Sequence, residues 1–395
     1  MRRKIMTIKD DRSARLNRRE AMRLLGIGTA GTGLGLAAAC GSGSDPEPTM
    51  DMAEEQVNAP AASSVTFPSD AVVRTVLDDI SPEVLASGAT MMHEHLAFNF
   101  ASPPAEPRAP GTPEPPAPTN DEMVDLLVEE IQMAGFDGVS CIVDSSIGPR
   151  TEQQLTNLTA MATRSDVHIV LGGSYFLQPR YPEEIIAMSQ DEITAHMVEQ
   201  AKQERWGALG EVGSSFPEMH DDERKVIAAT AQVSVQTGLP IFTHVPHESC
   251  PTCAIDQIDI YEAEGVDMAH LCIGHQSTIK GSDDPGWETH KEIARRGAFV
   301  GFDTVGHRMA SSFIPERQKV DMVLNMIEAG YEDHILLSAD FANTTQIKSN
   351  WGNGFSTVLI QFVPKLRYFG VSEEMIHKIM VDNSRRWLAH QPKSM

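Results

Sequence analysis

Apolar or β-rich runs that end in polar residues recur along the chain. They lie near Ala89 to Met92, Gly138 to Val143, His168 to Gly172, Trp206 to Gly210, Leu239 to Phe242, Ala269 to Ile273, Ala298 to Phe302 and His334 to Leu337. Each has the length of a strand. The later runs start roughly 30 residues apart, the span of one strand, one helix and two short loops. Between them, ITAHMVEQAKQ, DDERKVIAATAQVSVQTG, THKEIARRG and QKVDMVLNMIEAG carry apolar residues at helical spacing, and three of the four stop at Gly. Eight such units predict an α/β chain closed as a (β/α)8 TIM barrel.

In that architecture the C-terminal ends of different strands converge at one mouth, so what stands at those ends matters most. The first run ends in His93 and His95, alternate residues that point to the same side of an extended chain. Glu211 in ALGEVG, His244 in LPIFTH, His275 in LCIGH and Asp340 in ILLSAD stand at the ends of the fourth, fifth, sixth and eighth runs. Four imidazoles and two carboxylates suit borderline divalent ions, Zn2+ first and Co2+, Mn2+ or Fe2+ as alternatives. Two ions close together need an anionic bridge. The expectation is His93, His95 and Asp340 around a buried ion, His244 and His275 around a more exposed one, and Glu211 shared. Water between two such ions would lose a proton near neutrality and attack a carbonyl or phosphoryl centre, with Asp340 taking the proton.

Singly these motifs are weak, since an HxH pair or a Glu after a strand is often structural. Their common strand-end position carries the reading. Tyr175 in LGGSYFLQPRYP, just past the third run, is expected as a substrate-facing phenol, or else as an aromatic on the barrel rim. Asp144, Asp303 and the remaining histidines read mostly as surface or structural groups. His247 and His307 are the two placed to reach substrate.

Composition narrows the setting. The N-terminus, NRREAMRLLGIGTAGTGLGLAAAC, has paired arginines, a short apolar Gly-rich run and small residues before Cys40, the pattern of an export signal of twin-arginine type over residues 1 to 39. Cys40, followed by GSGSDPEPT, fits a lipid anchor on a periplasmic or cell-surface lipoprotein. Ala37 with Ala39 also fits plain cleavage to a secreted soluble protein. Nine Lys/Arg and three Asp/Glu leave with residues 1 to 39, moving the formal charge from −23 to −29. A surface this acidic excludes nucleic acid and anionic membrane as partners and leaves a small-molecule substrate. Residues 40 to 70 read as a flexible linker, and 71 to 395 suffice for one barrel. The Pro-rich ASPPAEPRAPGTPEPPAPT after the first run is expected either to shape substrate access or to stand as solvated filler. Cys141 and Cys272 fall in strands as small apolar residues. Cys250 and Cys253 in HESCPTC fit a short disulfide, with a metal or redox role as alternatives.

These residues resemble the phosphotriesterase-like family of the amidohydrolase superfamily. MMHEHL is similar to its strand-one metal pair, and GEVGSS followed by DDERKVIAATAQVSVQTGLPIFTH to its fourth and fifth strands. CIGH, LLSAD and VDNSRRWLA resemble its later signatures, so that the likeness runs from Val72 to Leu388. Glu211 resembles the branch with glutamate in place of a carboxylated lysine. The resemblance implies two metals and a hydrolase of organophosphate triesters, lactones or acylated amines and amino acids; a homodimer stays open. The Tyr175 segment resembles the tyrosine-bearing loop of family lactonases, while SIGPRTEQQ and CPTC depart from the family pattern. A hydrolase of a lactone, ester or amide is therefore the leading expectation. A phosphotriesterase and an exported metal-containing binding protein without turnover are the rivals.

Overall fold

A computed structural model describes residues 65–96, 119–145, 148–306, 314–343 and 346–393. The export signal, Cys40, most of the linker, the Pro-rich insertion up to residue 118 and His307 lie outside the described residues. Eight parallel strands follow one another in sequence order around a single sheet. They are β1 Ala89–Glu94, β2 Val139–Asp144, β3 His168–Gly173, β4 Ala208–Gly213, β5 Ile241–His244, β6 Leu271–Ile273, β7 Phe299–Phe302 and β8 Ile335–Leu337. The helices between them are α1 Asn120–Phe136, α2 Glu152–Arg164, α3 Gln190–Glu204, α4 Asp221–Thr237, α5 Pro251–Ala263, α6 Glu288–Arg295 and α7 Glu316–Glu328. After β8 a π turn, Val358–Phe362, runs into α8 Val363–Tyr368. This is the expected (β/α)8 barrel.

Local sequence sets the helix starts. Thr119 with Glu122, Thr151 with Gln154 and Ser189 with Glu192 form reciprocal capping boxes that satisfy the first free N–H groups of α1, α2 and α3. Along the strands, neighbouring residues fall into different apolar clusters. Cys141, Val143 and Cys272 belong to a smaller one with Met92, Val170, Ala208, Phe242 and Leu336, whereas Ile142, Leu271 and Ile273 join the large layer shared with the helices. That alternation separates the barrel's inside from its outside. Trp387, near the C-terminus, joins the inner cluster, donates its indole N–H to the Ile241 carbonyl at 3.1 Å and packs edge-on against Phe242.

β4 extends past its expected end, and Glu211 lies within it, at the register shift between the pairs Leu209↔Ile241 and Val212↔Thr243. The sixth and eighth strands are shorter than expected, because Met268–His270 and Glu332–His334 are 3-10 turns that lead into them.

Closure of the ring depends on β1 meeting the end of β8. Glu94 and Phe341 form a parallel bridge, and the His95 N–H donates to the Phe341 carbonyl at 2.8 Å. The fully buried Glu94 carboxyl accepts from the Ser338 hydroxyl at 2.6 Å and from the N–H groups of Ala339 at 3.0 Å and Phe341 at 2.7 Å. Thus the residue between the two histidines fastens the first strand to the last, and with it the two ends of the site.

Candidate metal centre

All six strand-end residues converge at the C-terminal mouth. Glu211 is at the middle, and its two oxygens face different groups. Oε2 lies 3.5 Å from His93 Nε2 and 3.8 Å from His95 Nε2. Oε1 lies 2.8 Å from His244 Nδ1 and 3.0 Å from His275 Nε2. Asp340 Oδ1 closes the first group, 3.2 Å from His95 Nε2 and 3.8 Å from His93 Nε2. Two ligand atoms on one tetrahedral zinc, each about 2.1 Å from it, stand about 3.4 Å apart. Both groups have that scale.

Backbone geometry makes the convergence possible. Gly210 turns β4 with φ 147°, and a Cβ there would meet the Phe242 carbonyl oxygen at 2.3 Å. At Gly274, before His275, a Cβ would meet the Thr243 carbonyl oxygen at 2.0 Å, so only glycine lets β6 lie this close to β5. His275 and Asp340 have φ of 55° and 48°. Left-handed backbone at non-glycine residues costs on the order of 1–3 kcal/mol and persists where the surrounding structure imposes it.

Asp303, read from sequence as a structural or surface group, is fully buried beneath the cluster. Its Oδ2 accepts from His93 Nδ1 at 2.9 Å and its Oδ1 from His275 Nδ1 at 2.9 Å, while the His275 backbone N–H donates to both oxygens. His95 Nδ1 likewise donates to the Ser145 carbonyl, at 3.1 Å. In these three rings Nδ1 donates to an oxygen acceptor and Nε2 is turned to the centre, so that loss of the Nε2 proton leaves the lone pair that ligating histidines need.

Charge in the cluster is finely opposed. Burial pushes the His93 imidazole down, but the Glu211 and Asp303 carboxylates outweigh it and hold the ring well above its ordinary value. Against the same burial, Asp303 and Glu211 push His275 up to about 10. His95 is raised mainly by Asp340 once burial is overcome. For His244 burial prevails over Glu211 and the ring is lowered. Burial would raise the Glu211 and Asp303 carboxyls, yet the imidazoles around them pull both below the usual carboxylate range. The carboxylates therefore favour positive charge at the centre, and divalent ions entering it would displace protons. The residues fit such ions on a further count: His93 Nε2 is buried, has no hydrogen-bond partner and faces Glu211.

Tyr175 is turned away from the centre, as its alternative reading as a packed aromatic has it. Its hydroxyl donates to Gln200 Oε1 at 3.2 Å and accepts from His196 Nε2 at 3.0 Å, both on α3, outside the barrel. Its neighbour Phe176 packs edge-on against the His244 ring at 4.7 Å, and the guanidinium of exposed Arg180 sits 5.3 Å from the Phe176 ring. Asp144 is structural, accepting from the Leu96 N–H at 2.6 Å and from Arg150 at 2.6 Å. Cys250 and Cys253 form the short disulfide, at the first turn of α5. His247 stands beside His275, with ring centroids 4.4 Å apart.

A barrel whose mouth carries a carboxylate-bridged pair of histidine groups is the architecture of a binuclear metal-dependent hydrolase of amidohydrolase type. The chain belongs to the Phosphotriesterase family, whose model matches residues 72–388. It is 26% identical over 353 residues to the N-acetyltaurine hydrolase of Danio rerio, covering 80% of this chain and 97% of that protein. The Homo sapiens N-acetyltaurine hydrolase is 25% identical over 350 residues with the same coverage. Among solved structures, a resiniferatoxin-binding protein from Rhodobacter sphaeroides matches with TM-score 0.68 and 27% identity, covering 81% of this chain and 95% of that one. The phosphotriesterase homology protein from Escherichia coli, complexed with phosphate in its active site, matches with TM-score 0.64 and 22% identity over 77% and 99% of the two chains, a likeness of fold.

Proposed function

We propose that this chain hydrolyses an amide bond of a small N-acylated compound at a two-zinc centre, with Co2+, Mn2+ or Fe2+ as substitute ions. His93, His95 and Asp340 would hold one ion, His244 and His275 the other, and Glu211 both. The observation that carries the reading is the split of Glu211, one oxygen toward each histidine pair. When bound, the ions supply Lewis acidity and an acidified water. Asp340 is the proton acceptor, since its carboxylate, held below the usual range by the histidines around it against burial, touches the His95 side of the centre from a strand end that opens on the mouth. Glu211 keeps the two halves in register, and Phe176 walls the His244 side against water.

Amide is favoured over lactone within the carbonyl class for two reasons. The phenol that a lactonase reading requires at the mouth is held on α3, so Tyr175 is left out of the catalytic set. The curated relatives named above are N-acetyltaurine hydrolases. Arg180, exposed above Phe176, is suited to the anionic tail of an N-acyl amino acid or sulfonate.

Metal-quantified protein should be tested on N-acyl amino acids, N-acetyltaurine, γ- and δ-lactones, carboxylate esters and aryl phosphotriesters. The amides are expected to lead by about a hundredfold in kcat/KM, about 2.7 kcal/mol of transition-state discrimination. Phosphotriesters leading by that margin, or full activity after metal removal, overturns the reading; full metal occupancy without any turnover returns the binding-protein alternative.

We further infer export, with residues 1–39 as the signal, 40–70 as linker and 71–395 as the barrel. The Cys250–Cys253 disulfide supports this, because such bonds persist in oxidising compartments. No helix among the described residues is long and apolar enough to cross a membrane. Mass spectrometry of the exported protein separates a lipid on Cys40 from cleavage to a soluble form.

A further inference from the structure

His247 is three residues beyond His244, in the loop that leaves β5 for α5. One nitrogen from each of His244, His247 and His275 lies within 4.8 Å of the others. The His247 ring stands 4.4 Å from that of His275 and 5.3 Å from that of His244. Its Nδ1 is buried and has no hydrogen-bond partner. Leaving a buried polar atom unmade costs about 1–3 kcal/mol, so an imidazole packed against two others and carrying an unpartnered nitrogen calls for a ligand. The loop that presents it is fixed at both ends. On one side the Gln257 amide, from α5, donates to the His244 carbonyl at 2.7 Å and to Ser214 Oγ at 2.8 Å. On the other, Cys250 and Cys253 are joined across the first turn of α5.

We infer that His247 is a third imidazole ligand of the ion on the His244 and His275 side. With Glu211 Oε1, that ion then has three nitrogens and one oxygen, a complete tetrahedral set in place of an open one. Two consequences follow. This ion is held more firmly than two histidines and a shared carboxylate would allow, and its nitrogen-rich site favours Zn2+ and Co2+ over Mn2+. The ion on the His93 side, with His93, His95, Asp340 and Glu211 Oε2, would have four protein ligands as well, two of them oxygens.

The inference rests on the two-metal reading, and its test separates the two. Wild-type protein and His247→Ala are loaded with Zn2+, titrated with a chelator of known affinity, and counted for metal per chain, with circular dichroism to confirm the fold. The expected result is two ions in wild type, and in His247→Ala one ion unchanged with the other weakened about a hundredfold or more, at or beyond the top of the effect seen for groups that merely support a ligand. Two ions bound equally by both proteins overturns this inference alone; no ion bound by wild type overturns the two-metal reading as well. A raised KM with both ions unchanged also overturns it, making His247 a substrate contact. Should His247→Ala fail to fold, a crystal structure of zinc-loaded wild type decides: a His247 nitrogen about 2.0–2.1 Å from zinc supports the assignment, and one beyond bonding distance ends it.

Discussion

Replacing Asp303 by Asn tests how the centre is built, because one carboxylate sets the proton position in two rings. Asp303 accepts from Nδ1 of both His93 and His275, at 2.9 Å each. Asn keeps the shape but has a single acceptor oxygen, so one ring now faces an NH2 group. That ring must move its proton to Nε2 to avoid opposing donors, and it then has no lone pair for the centre. Changes to such supporting groups typically cost 10–100-fold in metal affinity, about 1.4–2.7 kcal/mol, which falls on one ion if one ring converts. Asp303→Ala removes both acceptors and should weaken both ions. The assay is chelator competition on folded protein with metal counted per chain, together with 15N shifts of the imidazole nitrogens to read the tautomers. Asp303→Asn with affinities within about twofold of wild type and unchanged tautomers would refute the reasoning that Asp303 orients these rings.

Three further outcomes are expected. Glu94→Gln should lower unfolding free energy by about 1–3 kcal/mol in urea, since a side-chain NH2 must face at least one of the donors at Ser338, Ala339 and Phe341 that close the barrel; unchanged stability removes Glu94 as the fastening. Burial lowers the His290 imidazole from 6.5 to about 4, so its contribution to stability is present above the unfolded pKa and is lost as pH falls through the folded one. Between pH 7 and pH 5 wild type should lose about 2 kcal/mol more than His290→Gln, and equal losses reject the assignment. Arg180→Ala should raise KM for anionic N-acyl substrates about tenfold with kcat little changed, and leave uncharged amides untouched; equal effects on both exclude Arg180 as the anion contact.

The strand count, the helix phases and the six strand-end residues were legible because each depends on local rules. A strand buried on both faces must be an apolar run, a helix must repeat its apolar face, and a barrel puts its chemistry where the runs stop. Residues whose role depends on a neighbour far along the chain were not legible. Glu94 looks like a spacer between two histidines until β8 comes alongside it. Asp303 ends its run as Asp340 does, and that repeated position was the available signal; which carboxylate lies beneath the rings and which beside them depends on how the strands stagger. Tyr175 and Phe176 are adjacent, and only the path of the chain beyond β3 turns Phe176 to His244 and Tyr175 to α3.

The sequence by itself determined that eight strand-and-helix units exist and that four imidazoles and two carboxylates stand at their ends, because apolar periodicity and strand termini are properties of short segments. The tertiary structure decided which atoms face one another. It divided Glu211 between two histidine pairs, set Asp303 under His93 and His275, and brought His247 against His275. Such contacts join residues more than 200 positions apart, as Asp303 and His93 are at 210. Their geometry follows from ring closure, strand stagger and loop path, which no local pattern specifies.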